Sequence, residues 1–206
     1  MYATRHSYAG RMEDSVSIVA LVGSIRAGRF APVVAKWFVA RAATRKDVFL
    51  DVVDLAETPL PTVLPAFGQA LHKQDAELVA AVSPRLARAD GFVIITPEYN
   101  HSFPAALKNA IDWHNTEWRA KPVGFVSYGG VSGGLRAVEQ LRLVFAELHA
   151  MTVRDTVSFA GAWDKFDQEG RSKDPAADNA ANVLLAELIW WARALRNAKA
   201  QRPYVV

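Results

Sequence analysis

Five short apolar runs punctuate the chain, at residues 16–22, 48–53, 91–96, 122–127 and 152–158, each of strand length. Between them apolar residues recur at three- and four-residue intervals: Val33, Val34, Trp37, Phe38; then Leu78, Val79, Val82, Leu86; then Leu135, Val138, Leu141, Phe145, Leu148. That spacing lays a stripe along one side of a helix. Strand-length runs alternating with such stripes predict βαβ units around a parallel sheet buried on both faces, with helices on either side. The last helix is marked most clearly. Asp174-Pro175 supplies a cap and a first-turn proline, and Leu184, Leu188, Trp191 and Leu195 follow as its stripe. Trp190 and Trp191 cannot face one direction, so one belongs to the core and the other lies against a loop. Two connections, 56–73 and 160–174, are long for a compact domain and read as lids or interface pieces. The expected fold is α/β in three layers, a five-stranded parallel sheet in the order 2-1-3-4-5. One domain should occupy 15–200, after a polar, disordered leader at 1–14 and before a short tail at 201–206.

Composition narrows the chemistry. With 206 residues and 51% hydrophobic content, the chain can bury one sizeable core. It has no cysteine, which excludes disulfides, thiolate metal sites and cysteine nucleophiles, and its five histidines show no paired ligand spacing. No metal is expected. No apolar run is long enough to span a bilayer, so the expectation is a cytoplasmic protein without a membrane partner. The net charge of +3 favours small anionic ligands, but the basic residues are spread along the chain. A nucleic-acid footprint would mass them on one face, so no nucleic-acid partner is expected.

Three loops carry the candidate chemistry. The first follows the first strand, Gly23-Ser24-Ile25-Arg26-Ala27-Gly28-Arg29-Phe30, and leads into a helix near Pro32. A glycine-bearing turn at a helix N-terminus offers unpaired N–H groups and the positive end of the helix dipole, which suits phosphate. Ser24 adds a hydroxyl, and Arg26 and Arg29 add charge-assisted donors. Arg29-Phe30 stands where a nucleotide triphosphatase needs Lys-Ser/Thr, and Ile25 and Arg26 occupy positions where a dinucleotide fingerprint needs glycine. Asp54 resembles the ribose acid of that fingerprint in position only. A phosphate monoester fits best; the plain alternative is a strand-to-helix turn with solvated arginines.

The second loop, Pro97-Glu98-Tyr99-Asn100 through Pro104, follows the third strand. In the order 2-1-3-4-5 strands one and three are neighbours, so their loops flank one crevice. A phosphate on the first loop then puts its aromatic head near Tyr99, with backbone amides and Asn100 at the ring edge. Glu98 reads chiefly as turn structure. The third loop, Ser127-Tyr128-Gly129-Gly130-Val131-Ser132-Gly133-Gly134, holds four of the chain's twelve glycines. Missing side chains let a flat ring approach the backbone.

Together these pieces resemble the NADPH-dependent FMN reductase family of flavodoxin-like proteins, which includes quinone, chromate and azo-dye reductases. The matching residues are Gly23-Ser24-x-Arg26, then Pro97-Glu98-Tyr99-Asn100 with Ser102, Pro104 and Leu107 to Trp113, then Gly133-Gly134 with Arg136 and Leu141-Arg142. The resemblance implies FMN, its phosphate at Ser24, Arg26 and the following turn through Arg29 and Phe30. It implies an isoalloxazine against Pro97, Glu98, Tyr99 and Asn100 and against Ser127, Tyr128, Gly129 and Gly130. Many relatives carry serine and asparagine where this chain has Arg29 and Ala31. The implied donor is NADPH or NADH, the acceptor a small molecule such as a quinone or free flavin. The cofactor takes the hydride itself, so no catalytic side chain is expected. Lys108, Asn109, Asp112 and Trp113 are expected to hold the helix against the flavin loop. A flavodoxin-type electron carrier without NAD(P)H turnover is the alternative, and a regulatory protein retaining the fold a second one. Trp113, Trp118, Trp190, Trp191 and the loop 59–67 point to a homodimer or homotetramer.

Overall fold

The computed structural model describes residues 15–66 and 68–205; the expected leader at 1–14 lies outside the described residues, as do Phe67 and Val206. In chain order the elements are β1 (Val16–Val22), α1 (Ala31–Ala42), β2 (Val48–Asp54), α2 (Lys73–Arg88) and β3 (Gly91–Pro97), followed by α3 (Ala105–Asp112), β4 (Pro122–Gly129), α4 (Leu135–Glu147), β5 (Met151–Ala160) and α5 (Pro175–Gln201). The strands form one parallel sheet in the order β2-β1-β3-β4-β5, as expected.

Alternation along each strand divides the core in two. Ile18, Ala20 and Val22 of β1, Val93 and Ile95 of β3, and Val126 and Tyr128 of β4 face α1 and α5. Val19, Leu21, Phe92, Ile94, Val123 and Phe125 face the other way, against α2, α3 and α4. Burial on both faces holds for β1 and β3, where every residue is buried, but not for the edges. β2 is half-buried over its first five residues, and β5 exposes Arg154, Ser158 and Ala160. An edge strand has one unpaired side and tolerates polar residues there.

α5 begins as predicted: the Asp174 carboxylate accepts from the Ala176 amide at 3.0 Å, and Pro175 occupies the first turn. Its Leu184 side chain lies so close to β4 that a methyl on Gly124 would sit 2.7 Å from it, which accounts for glycine there. Trp191 is half-buried against the core while Trp190 is 62% exposed, the two rings edge-on at 4.8 Å. Trp190 therefore points to solvent rather than against a loop. α3 ends at Asp112, before His114. The His114 ring is buried instead, bonded to the Ala110 carbonyl at 2.7 Å and to the Ser83 hydroxyl at 3.0 Å. Among the described residues no helix is long and apolar enough to cross a membrane.

Trp118 proves to be a core residue and not an interface one. It is fully buried, edge-on to Phe92 at 4.5 Å and to Phe145 at 5.3 Å, and its indole N–H donates to the Ile111 carbonyl at 3.2 Å. Trp118→Ala opens a large cavity between Phe92 and Phe145 and removes the indole hydrogen bond, although the Ile111 carbonyl keeps the His114 amide at 3.2 Å, so urea unfolding should show a loss of about 3–5 kcal/mol.

Candidate functional site

The three loops emerge together at the C-terminal edge of the sheet. Register sets their level: Val22 pairs with Asp54 on one side and Ile95 on the other, and Thr96 pairs with Ser127. The Gly23 amide then donates to the Ile95 carbonyl at 2.9 Å, so the first loop turns away only after the ladder is complete.

That loop closes on itself through the Arg29 amide and the Arg26 carbonyl at 3.1 Å, with Gly28 in the left-handed region at φ 66°. A side chain at Gly28 would meet nothing within 4 Å, and Ile25, Arg26 and Ala27 are exposed. The helix beyond, α1, has no side-chain cap and no acidic residue in its first turn. Pro32 carries no N–H and the Val33 amide is held by the Phe30 carbonyl at 3.1 Å, so what the helix start offers an anion is its positive dipole end with no competing carboxylate. Ser24 is only 1% exposed and its hydroxyl lies 2.9 Å from that of Tyr99, joining the first loop to the second. Arg29 is drawn the other way. Its guanidinium donates to both Asp54 oxygens at 2.6 and 2.8 Å and to the Ser24 carbonyl at 3.0 Å. Phe30 packs among Tyr128, Phe166 and Trp163, at ring separations of 5.6–6.5 Å.

The second loop is a tight reversal. Tyr99 and Ser102 exchange backbone hydrogen bonds at 2.8 and 3.0 Å across Asn100 at φ 51° and His101 at φ 66°. Two successive left-handed residues define a turn of the I′ kind. Asparagine tolerates this conformation; histidine does so at a cost of about 1–2 kcal/mol. The strain is held by α4, whose Gln140 amide donates to the His101 carbonyl at 2.7 Å while its oxygen accepts from the Ser102 hydroxyl at 2.6 Å. Glu98 braces the same turn against the third loop. Its side chain, 8% exposed, accepts from the Ser132 hydroxyl at 2.7 Å, the Arg136 amide at 3.1 Å and the Arg136 guanidinium at 2.9 Å. Pro97 is buried at the end of β3, and Asn100 is exposed.

In the third loop the glycines divide by role. At Gly133 (φ 61°) a side chain would collide with the Ser158 hydroxyl, and at Gly134 (φ 88°) it would lie 2.7 Å from Ser127 Cβ and 3.0 Å from the Tyr128 nitrogen. These two serve packing of the loop onto β4 and β5. Gly130 has open space around it, and the nearest atom to a methyl on Gly129 would be the Gly134 nitrogen at 3.5 Å. Only the first pair leaves room for a ligand. Ser127 is wholly buried and its hydroxyl donates to the Gly133 carbonyl at 2.8 Å. Tyr128 is 5% exposed, and its hydroxyl is buried without a well-formed hydrogen bond, near Ser24, Tyr99, Arg29 and Asp54. Burial, then the neighbouring Tyr99, pushes that phenol well above its ordinary value.

Between the first two loops and the start of α3 lies an open cavity of about 610 Å³. Ligand clefts run from roughly 300 to 1,000 Å³. Arg26, Glu98, Tyr99 and Asn100 line it, with Ile25, Pro104, Ala105 and Ala106, which were not anticipated. Of the other expected residues, Ser24, Ser127 and Tyr128 stand behind this surface, Gly129 and Gly130 lie at the head of β4, and Arg29 and Phe30 turn toward other partners. Asn109 and Trp113 hold the 56–73 connection and not the flavin loop, donating to the Pro61 carbonyl at 3.0 and 2.6 Å. Lys108 and Asp112 form an exposed pair at 2.7 Å.

A doubly wound sheet in this order, with its first and third crossovers meeting in a crevice, is of the flavodoxin-like class. A family model of NADPH-dependent FMN reductases matches residues 16–164, and the chain belongs to that family of oxidoreductases. It is 33% identical over 151 residues to the quinone reductase of Escherichia coli strain K12, covering 69% of this chain and 76% of the relative. It is 39% identical over 121 residues to the NAD(P)H-dependent FMN reductase C4B3.06c of Schizosaccharomyces pombe, covering 57% of this chain and 60% of that protein. Its fold resembles that of FerB, a flavoenzyme NAD(P)H:(acceptor) oxidoreductase from Paracoccus denitrificans, with TM-score 0.67 and 23% identity over 87% of this chain and 98% of FerB. These relatives are reductases, and the electron-carrier alternative is not favoured.

The Glu98 brace has a pH signature. Burial pushes its carboxyl up, but the hydrogen bonds from Ser132 and Arg136, with the Arg136 charge, outweigh burial and hold it below its ordinary value of 4.5. The unfolded chain therefore takes up this proton more readily. The contribution is complete above that ordinary value and is lost as pH falls through the depressed one. Urea titrations should find Glu98→Gln less stable than wild type at pH 7, with a shallower loss of stability below about pH 4.5.

Proposed function

We propose that this chain holds FMN across the three loops and carries electrons from NADPH or NADH to a small, flat acceptor such as a quinone or free flavin. The supporting observation is the pairing of an uncapped helix N-terminus and an open Gly28 turn with an exposed arginine, one loop away from the open Gly129-Gly130 edge. A phosphate monoester and a flat ring are what that donor set accepts. Arg26 and the amides of the first loop bind the phosphate. The backbone of Tyr99 and Asn100 borders the ring on one side, and the amides of Gly129 and Gly130 face its electron-poor edge, where they would stabilise negative charge on reduction. The turn that carries Asn100 is held rigid by Glu98 and Gln140, so little reorganisation accompanies each turnover. Bound FMN would supply the redox chemistry, and hydride from the nicotinamide together with one proton from water would account for the two electrons and two protons that turn a quinone into its hydroquinone. In this reading the protein works in the cytoplasm, where the NAD(P)H pool is.

The test is spectroscopic. Purified protein loaded with FMN should bleach on anaerobic addition of NADPH and regain its colour with quinone. Arg26→Ala should raise the FMN dissociation constant about tenfold, while Arg45→Ala, at the opposite end of the sheet, leaves it unchanged. Absence of FMN binding, or equal constants for wild type and Arg26→Ala, would overturn the assignment.

The same reading includes a homodimer or homotetramer. Val183 and Trp190 are 50% and 62% exposed on α5, and Val63 and Leu64 are 79% and 48% exposed on the loop before α2. Large apolar side chains exposed at these two places are candidate contacts between chains. Light scattering at micromolar concentration should give a mass at least twice that of the chain; a monomer would contradict it.

A further inference from the structure

The ends of β1 and β2 are in register, Val22 beside Asp54, so the first loop leaves the sheet next to the Asp54 carboxylate. That carboxylate is 1% exposed and receives both branches of the Arg29 guanidinium as well as the Ala56 amide at 3.1 Å. Arg29, itself 14% exposed, reaches back to the Ser24 carbonyl with one of the same nitrogens. One cation thus joins a buried anion at the end of β2 to the first turn of the loop that meets the ligand. A buried carboxylate so close to a phosphate site would repel a dianion if nothing cancelled it, because charges in a protein interior are poorly screened.

Resting on the FMN reading, we infer that Arg29 is a positioning residue for phosphate selectivity. It neutralises Asp54 and fixes the Ser24 carbonyl inward, leaving the loop amides directed outward and Arg26 as the cation that meets the phosphate. Asp54, placed where a dinucleotide fold keeps its ribose acid, is committed to this pair and not to a sugar. The arginine acts through the carboxylate beneath it. Such a pair is costly to break on one side only, since the surviving charge is left buried and uncompensated. Removing both partners together is far milder. That asymmetry separates a neutralising brace from a direct phosphate ligand.

The experiment is a calorimetric titration of the full chain with FMN and with riboflavin, which lacks the phosphate. Wild type, Arg29→Gln, Asp54→Asn and the double variant are compared. Arg29→Gln should raise the FMN dissociation constant about tenfold or more while the riboflavin constant changes by less than about twofold. The double variant should bring FMN back to within about threefold of wild type. A double variant as weak for FMN as Arg29→Gln would make Arg29 a direct ligand and overturn the inference. Equal weakening toward both flavins would reduce the pair to fold support and overturn it as well. If Arg29→Gln fails to fold, the double variant decides: a wild-type ratio of FMN to riboflavin affinity upholds the inference, and a lost ratio refutes it. Wild type that binds neither flavin would instead refute the FMN reading on which the inference rests.

Discussion

β1 pairs with β2 on one side and β3 on the other, and the arrangement at the top of the sheet depends on that double pairing. It sends the first crossover to the α1 and α5 face and the third to the opposite one, where α3 and α4 pack. Parallel strands with level ends must then part their loops above β1 and β3, and the gap becomes a crevice. Both strands are buried throughout, so a register slip would bury the wrong set of side chains and is strongly disfavoured.

Apolar packing brings the loops to one edge, but polar contacts fix their shapes. Ser24 meets Tyr99, Arg29 meets Asp54, Glu98 meets Ser132 and Arg136, and Gln140 grips the reversal at Asn100 and His101. Each contact joins a loop to a neighbouring loop or element, and most involve a charged or amide group with directional demands. Hydrogen bonds of this kind contribute modestly to net stability yet leave a large penalty when one partner is lost. They suit a site in which donors must wait in position for an anion and a flat ring. The buried Tyr128 hydroxyl, close to this network without a firm partner, is the one group beneath the loops whose hydrogen bonding is incomplete among those described.

The central strands and the cap of α5 were legible because each rests on local pattern: apolar runs, helical spacing, an Asp-Pro start; the sheet order came from the doubly wound class that the loops suggested. The edges were less so. β2 and β5 are partly exposed, and their polar residues could not be told from interruptions until the order was seen. Trp118 misled because tryptophan is common both in cores and at interfaces, and only its place between Phe92 and Phe145 decides. Of the glycine loop the sequence told where it lies but not which glycines face a ligand, since that depends on how close β4 and β5 come to Gly133 and Gly134. The Arg29–Asp54 pair spans 25 positions and leaves no spacing signal. Gln140 had a faint one, being four residues from Arg136 and hence on the same side of α4.

The central claim is that one ligand touches all three loops at once. An amide-resolved NMR titration of the labelled protein with FMN tests it most directly. The account predicts that the amides of Ser24 to Gly28, Tyr99 to Asn100 and Gly129 to Gly130 shift together along one saturating curve. Those near His149 and Lys199, at the other end of the sheet, should stay in place. Shifts confined to one loop, or centred at that far end, would contradict it.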